Sequence, residues 1–326
     1  MFGTNQDILS FWNWYTKATK QVIDNTSEYP MGKSDFAVLS RVEDTTEITE
    51  RFVSITGLSV AEDVAEGSKI PQGKSAKGFV TELSPIKQAV SLDYTREYMK
   101  GVMDNTQKLE KQYQVDVRDR LSAVYNKLNT TVFELINKGF TDTLSPDGEL
   151  LFSANHLLSP ESAIEFDNLL PAAAPSVEVL DEVEKRSRGF VDAIGRPMPF
   201  NTKRILVKDG GKAHQKWKKI LGDNVSLQYK PTKIDAINEG VTQQLGNGRQ
   251  IIPSVYVESD TAYYFMADFD SQMMVNPIYT GFHQRPTMDG EFDYDKRTQL
   301  YSVPFFDYYK TGVVNTPVGM YWSQGA

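Results

Sequence analysis

At 326 residues the chain can bury more than one core, so two lobes are expected rather than a single compact unit. A composition of 40% apolar and 24% charged residues is that of a folded globular protein, and the absence of cysteine excludes disulfides and thiolate metal sites. A formal net charge of −8 argues against a surface that grips nucleic acid throughout and leaves only local contacts. The opening residues MFGTNQDILSF lack the basic and apolar regions of a secretion signal, and no apolar run approaches the roughly 20 residues of a membrane span. Folding in the cytoplasm is therefore expected.

Residues 6–23 place Ile8, Leu9, Phe11, Trp12, Tyr15, Val22 and Ile23 mostly on one face of an amphipathic helix. That face docks on its own core, on a neighbouring subunit or on a membrane surface. The polar stretch from Asn25 to Asp35 reads as a linker, so helix and linker together form an arm. From Glu47 to Leu92 the pattern changes to strands: Phe52, Val53 and Ile55 precede the turn-rich AEGSKIPQGKSAKG, and Ile86, Gln88, Val90 and Leu92 alternate with period two on the return. This hairpin-like excursion carries few large apolar residues, so an isolated copy would not hold its shape in water and needs a partner surface.

From about Val102 onward, Thr106, Leu109, Tyr113, Val117, Leu121, Val124, Leu128, Val132 and Leu135 recur at steps of three or four, as one helical stripe requires. Asp93 or Thr95 caps the start and Gly139 marks the end, giving a rod of about 40 residues and about 60 Å. The steps average nearer to roughly 3.6 than 3.5 residues, which favours one domain-spanning helix over a coiled coil. After DGELLFSANH (Asp147 to His156) and the Pro/Ala-rich LLPAAAPSVE, a helix is expected from about Val177 to Ile194. The strand KRILVK (Lys203 to Lys208), the helix AHQKWKKIL (Ala213 to Leu221) and strands at QIIPSVYVES and AYYFMADF follow, with Gly246-Asn247-Gly248 as a hairpin turn. Strands near Leu300 to Phe306 and Gly312 to Val314 are expected to return beside the long helix.

The three histidines, His156, His214 and His283, sit on different elements without a second ligand at helical spacing, so each reads as a structural or surface imidazole. Ser153 and Asp147 near His156 invite a Ser-His-Asp reading, but no G-x-S-x-G elbow accompanies them. Gly210-Gly211-Lys212 fails as a phosphate loop because Ala213 takes the position of the required hydroxyl. Asp289, Glu291, Asp293 and Asp295 would share one face of an extended chain, a solvated edge with bound calcium as the alternative. Lys203, Arg204, Lys208, Lys212, Lys216, Lys218 and Lys219 form the one local basic cluster, either a solvated helix face or a weak contact with nucleic acid or an acidic neighbour. No catalytic residue, cofactor site or metal site is assigned.

Four stretches, taken in order and spacing, carry a resemblance. KQAVSLDYTREYM (Lys87 to Met99) is similar to a strand-to-spine-helix passage, and DGELLFSANH to a D-G-x-x-L-F-S-x-x-H segment. KRILVK with AHQKWKKIL, and then VYVESDTAYYFMADFD (Val255 to Asp270), resemble the strands and helix of an axial domain. These are features of the major capsid proteins of tailed bacteriophages, the Hong Kong 97-type fold, and the likeness is greatest to the branch that includes the Mu-type major head subunit. The resemblance covers most of the chain from about Glu47 onward. It implies an α+β fold with an N-terminal arm (1–46), an extended β-hairpin loop (47–94), a peripheral domain carrying the long spine helix (95–171), an α/β axial domain (172–298), and C-terminal strands returning to the peripheral domain (299–326).

The resemblance further implies a major capsid protein and not an enzyme. Such a subunit forms pentamers and hexamers in the icosahedral or prolate shell that encloses phage double-stranded DNA, resides in the virion and is assembled in the host cytoplasm. Trp12, Tyr15, Lys69, Lys74 and Lys77 would then lie at contacts between subunits, and Lys212, Lys216 and Lys219 at a weak, non-specific contact with packaged DNA. The arm is too short for a removable scaffolding segment, so a separate scaffolding protein is expected, with a portal and decoration proteins as further partners and no membrane. No partner asparagine for a covalent crosslink through the loop lysines is identified. An encapsulin-like nanocompartment shell is the alternative within the fold class, and a cytoplasmic hydrolase the alternative from another class.

Overall fold

The computed structural model describes residues 9–10, 13, 16–17, 35–53, 78–99, 106–221, 249–269, 275–288 and 291–326. The chain is α+β and divides into two units. Unit 1 comprises Met1–Glu50, Leu83–Val132 and Thr280–Thr311, and unit 2 comprises Arg51–Glu82, Phe133–Tyr279 and Gly312–Ala326. Residues 9, 10, 13, 16 and 17 are helical; the rest of the helix expected over 6–23, and the turn at Gly246-Asn247-Gly248, lie outside the described residues. Among the described residues no helix is long and apolar enough to cross a membrane.

Unit 1 is built on a five-stranded sheet in which β1 (Arg41–Asp44), β10 (Ile278–Met288), β12 (Leu300–Val313) and β11 (Asp293–Asp295) follow one another, and β4 (Ile86–Thr95) also pairs with β12. The β4–β12 ladder is antiparallel and runs from Leu300↔Thr95 to Tyr309↔Ile86. Along β12 the side chains of Tyr301, Val303, Phe305 and Tyr309 are buried and the intervening ones are half-buried, the period of a strand with one covered face. Helix α1 (Thr106–Asn137) supplies Tyr113, Val117, Leu121, Val124 and Leu128 to the core, the stripe expected from its spacing. Tyr94 of β4 donates to Asp116 of α1 at 2.5 Å, and the Tyr94 and Phe292 rings lie 6.5 and 6.4 Å from that of Tyr113. A single helical turn, Phe36–Leu39, is fastened by the Phe36 N–H to Asn129 Oδ1 (2.9 Å) and by the Phe36 ring against Phe282.

In unit 2, the last turn of α1 buries Phe133 and Ile136, where periodicity pointed to Leu135, which is half-buried. Spacing fixes the stripe but not which neighbour faces inward, and here the Phe133 ring packs 5.5 Å from Tyr256. The helix stops before Gly139, where an added Cβ would sit 2.8 Å from the Phe152 ring. The main sheet has the order β13 (Met320–Ser323), β9 (Tyr263–Ala267), β7 (Thr202–Lys208), β8 (Gln250–Ser254); β7 and β8 are parallel and the other pairs antiparallel. All five residues of β9 are buried, as for a strand covered on both faces, while Pro253 sits in the edge strand β8, where a missing N–H is tolerated. Helix α2 (Val177–Arg188) starts at Ser176, which accepts from the Val179 N–H, and ends at Arg188, short of the expected Ile194. Gly189 closes it, and Val191 then pairs with Pro197 around Gly195 at φ 82°. Helix α3 (Lys212–Leu221) inserts Trp217 edge-on against Tyr263 and Phe265.

The strands β2 (Glu50–Val53) and β3 (Val80–Leu83) pair with each other and form a two-stranded sheet of their own, as do β5 (His156–Leu157) and β6 (Glu165–Phe166). Two strands join sheets across the boundaries expected from sequence. Within 172–298, β10 is hydrogen-bonded to β12 and belongs mostly to unit 1; within 299–326, β13 pairs with β9 in unit 2.

Two outcomes are expected of unit 1. Leu121→Asp places a carboxylate where the side chain is 1% exposed and should lower stability by about 4 kcal/mol or more in urea denaturation, whereas Val115→Asp, at 49% exposed on the same helix, should shift it by less than about 0.5. Asp307 interrupts the apolar row of β12 while itself buried, and among the described residues neither carboxylate oxygen has a donor in hydrogen-bonding geometry. Burial pushes its carboxyl up to about 7, against a smaller opposing pull from the N–H groups of Gln88 and of Asp307 itself. Between the unfolded value of roughly 3.9 and about 7 the folded state keeps a proton that the unfolded chain releases, so stability falls as pH rises through that window. Asp307→Asn should remove this fall in denaturation series across the same range.

Candidate functional site

Three places in the fold bear on function: the DGELLFSANH segment, the basic helix α3 and the stem of the extended loop. The first begins at a tight hairpin in which Ser145 N–H donates to Glu149 O (2.7 Å) and Gly148 N–H to Ser145 O (2.9 Å). Gly148 sits at φ 87°, which a side chain would strain, and Pro146 presets the turn. The turn aims Asp147 at His156. Asp147 Oδ2 lies 2.8 Å from His156 Nδ1 with both side chains fully buried, and also accepts from the Leu157 N–H at 3.1 Å. His156 Nε2 faces the Leu151 carbonyl at 3.2 Å, so both ring nitrogens meet acceptors, and the ring stacks on Phe166. Asn168 completes the knot: its Nδ2 donates to Leu151 O and its Oδ1 accepts from Ser153 N–H.

This arrangement assigns His156 to structure. The nitrogen that would activate a serine is occupied by Leu151 O, and Ser153 Oγ is bonded to Glu149. Burial pushes the Asp147 carboxyl up, but the hydrogen bond and charge of His156, with the Glu149 N–H, pull harder and hold it below the usual carboxylate range. His214 Nδ1 accepts from the Gly210 N–H at 3.1 Å, and exposed His283 meets the Tyr308 ring edge-on. A cleft of about 330 Å³ nearby is lined by Leu158, Phe166, Phe190 and Tyr321, and its Arg186 is tied to Asp167, Glu182 and the Leu169 carbonyl. It presents no nucleophile with a base.

Of the basic cluster, Lys203 is paired with Asp268 (2.6 Å) and Lys208 with Asp260 (2.7 Å). Lys212, Lys216, Lys218 and Lys219 are exposed, without a carboxylate in ion-pair range among the described residues. Lys212, Lys216 and Lys219 are spaced i, i+4, i+7, one face of α3, opposite the Trp217 anchor. Trp12, Tyr15, Lys69, Lys74 and Lys77 lie outside the described residues. In the acidic stretch, Glu291 pairs with Lys17 and Asp295 caps the turn that follows it through the Arg297 N–H and Thr298 hydroxyl; Asp289 is outside the described residues. No group of three metal-ligating side chains occurs among the described residues.

At the loop stem, Ile48, Val53, Val80 and Ile86 are 42 to 64% exposed. Two residues that sequence reasoning passed over stand beside this stem or in the knot. Lys310 is fully buried on Glu50 and the Glu47 carbonyl, and Asn168 is fully buried in the knot. A lysine inside a run of aromatic strand residues, YYKTG, was the available signal for the first; nothing local marks the second.

For Asp147 the lowered value means a contribution present above the unfolded value, roughly 3.9, and lost as pH falls through the folded one. Stability should therefore drop below about pH 4, and Asp147→Asn should shrink that drop while lowering stability at pH 7. His156→Ala leaves the buried carboxylate without its partner and should cost about 3 kcal/mol in denaturation at pH 7.

No protein-family model matches the sequence, and no curated protein matches it. Solved structures do. The chain is similar to a phage-related protein from Bordetella bronchiseptica RB50 at TM-score 0.52, with 11% identity, over 95% of each chain. Similarity extends to a protein of Mycobacterium phage Adephagia (TM-score 0.49, 11% identity, 95% of this chain and 97% of that one) and to the capsid of Myoviridae phage XM1 (TM-score 0.47, 8% identity, 93% of each). The first of these likenesses establishes a shared fold across nearly the whole of both chains.

Proposed function

We propose that the chain is a phage major capsid protein of the Hong Kong 97 type, a structural subunit that assembles into the head shell around double-stranded DNA. The observation that carries this reading is the stem of the extended loop. β2 and β3 pair only with each other among the described residues, and apolar side chains stay exposed on and beside them. A two-stranded ribbon of this kind is marginal alone and gains its stability from another surface. Its own chain supplies part of that surface, through Phe52 on Tyr279 and Glu50 on Lys310; in a shell the rest is a neighbouring copy, and Trp12, Tyr15, Lys69, Lys74 and Lys77 are assigned to such contacts. The shared fold with the phage-related protein supports the reading, as does the structural employment of His156.

In this reading the arm precedes Glu47, the loop spans 47–94, α1 is the spine of a peripheral domain, and the β13-β9-β7-β8 sheet with α2 and α3 forms the axial domain. Pentamers and hexamers, a separate scaffolding protein, a portal and decoration proteins are the partners. Lys212, Lys216 and Lys219 form a weak contact with packaged DNA, because among the described residues none of the three has a carboxylate in ion-pair range. The encapsulin-like shell shares the same stem argument and is separated by whether purified particles enclose nucleic acid.

Replacing residues 62–82 with a short Gly/Ser turn should leave a soluble chain of near-normal helix content but remove large particles from electron micrographs. Particles of unchanged size and stability would remove the loop from its assigned role. Lys212→Ala with Lys216→Ala and Lys219→Ala should leave the fold intact and lower the slope of log affinity for duplex DNA against log salt by about 1 per lysine.

A further inference from the structure

We propose that Lys310 is a positioning residue for assembly: its buried ammonium clamps residues 45–50, the segment from which the extended loop departs, and shell formation depends on that clamp. The inference rests on the capsid reading above. The alternation of β12 breaks at this residue, since Tyr309 and Lys310 are both fully buried although successive strand residues point to opposite faces. Lys310 Nζ donates to the Glu47 carbonyl at 2.7 Å and lies 3.0 Å from Glu50 Oε2. The other oxygen of Glu50 accepts from Thr45 Oγ1 at 3.2 Å, which itself accepts from the Glu47 N–H at 3.3 Å. The Thr45 N–H donates to Phe282 O at 2.8 Å. Residues 45–49, between β1 and β2, have no regular structure of their own, and this network takes its place.

The chemistry favours geometry over strength. A lysine is almost never fully buried unless paired, and an ammonium that meets both a carboxylate and a carbonyl accepts few other arrangements. A buried ion pair adds little stability over apolar residues of the same volume, but it penalises every conformation in which one partner is left alone. At the root of a segment that must meet a second copy, restriction of direction is the useful property, because ordering before contact reduces what association must spend on it.

The test compares Lys310→Met, Lys310→Arg, Glu50→Gln and a control, Val303→Ala, that lowers Tm by a similar amount through the core of the same strand. In the unassembled chain, hydrogen exchange of the amides of residues 45–50 should be about tenfold faster in Lys310→Met than in wild type, and unchanged in Val303→Ala. Shell yield by sedimentation and electron microscopy should fall by about tenfold in Lys310→Met, recover with Lys310→Arg, and stay at wild-type level in Val303→Ala. Glu50→Gln keeps the bond to Glu47 and should show both effects at reduced size; it decides the matter should Lys310→Met not fold. Wild-type exchange and yield in Lys310→Met, or equal loss of shells in Val303→Ala, would overturn the proposal. Failure of the wild type itself to form shells would overturn the capsid reading, while the exchange rates would still decide the clamp.

Discussion

Strand β12 holds unit 1 together because segments far apart in sequence depend on its backbone. β4, β10 and β11 are all hydrogen-bonded to it, and β1 is reached through β10. Joining β4 to β12 closes a loop of roughly 200 residues, yet closure entropy grows only with the logarithm of length, so the separation adds little beyond what a much shorter loop would cost. Register is the tighter condition. A slip of one residue would turn Tyr301, Val303, Phe305 and Tyr309 away from the core and bring Ser302, Pro304, Phe306 and Tyr308 into it. The aromatic neighbours on either side of Asp307 fix the register strongly enough to carry a carboxyl group that the core does not otherwise favour.

Buried ionisable groups show how differently the same cost is met. Asp147 is held by His156 and two backbone N–H groups, and Lys310 by a carboxylate and a carbonyl, so each is compatible with a single local arrangement. Among the described residues Asp307 has no side chain paired with it and only a weaker pull from the N–H groups of Gln88 and of Asp307 itself, and burial raises its proton affinity instead. The opposite signs of the Asp147 and Asp307 shifts give two separate pH windows, one below about 4 and one between about 4 and 7.

What sequence alone made legible was local. The 3.6-residue stripe from Tyr113 to Leu128, the strand at Lys203 to Lys208 and the helix ending at Leu221 all follow from periodicity and are found where it put them. Periodicity ran out at the end of α1, where contact with Tyr256 selected Phe133, and at Gly189, where turn chemistry outweighed a helical pattern that continued to Ile194. Pairings between distant strands carried no local mark. Neither β10 with β12 nor β13 with β9 has a turn that would announce it, and the Lys310–Glu50 contact joins residues from opposite ends of the chain. The basic cluster was visible as a run of lysines, but only the structure separates the paired Lys203 and Lys208 from the face of α3, whose lysines have no carboxylate in ion-pair range among the described residues.

The same surfaces bear on how copies of the chain would meet. Fully burying a Val or Ile gains roughly 1.5 to 3 kcal/mol, so the few exposed apolar residues at the loop stem would support only a weak contact once the loss of translational freedom is set against it. Each chain also carries a net charge of −8, which opposes the approach of another. A contact that is weak alone and opposed by charge is stable only when one subunit makes it with several neighbours at once, since every contact after the first is intramolecular in effect. Direction then matters more than strength, because a loop leaving its root at the wrong angle loses all of the later contacts together. A buried clamp at that root, weak in its contribution to folding and strict in its geometry, is the kind of device that such an assembly requires.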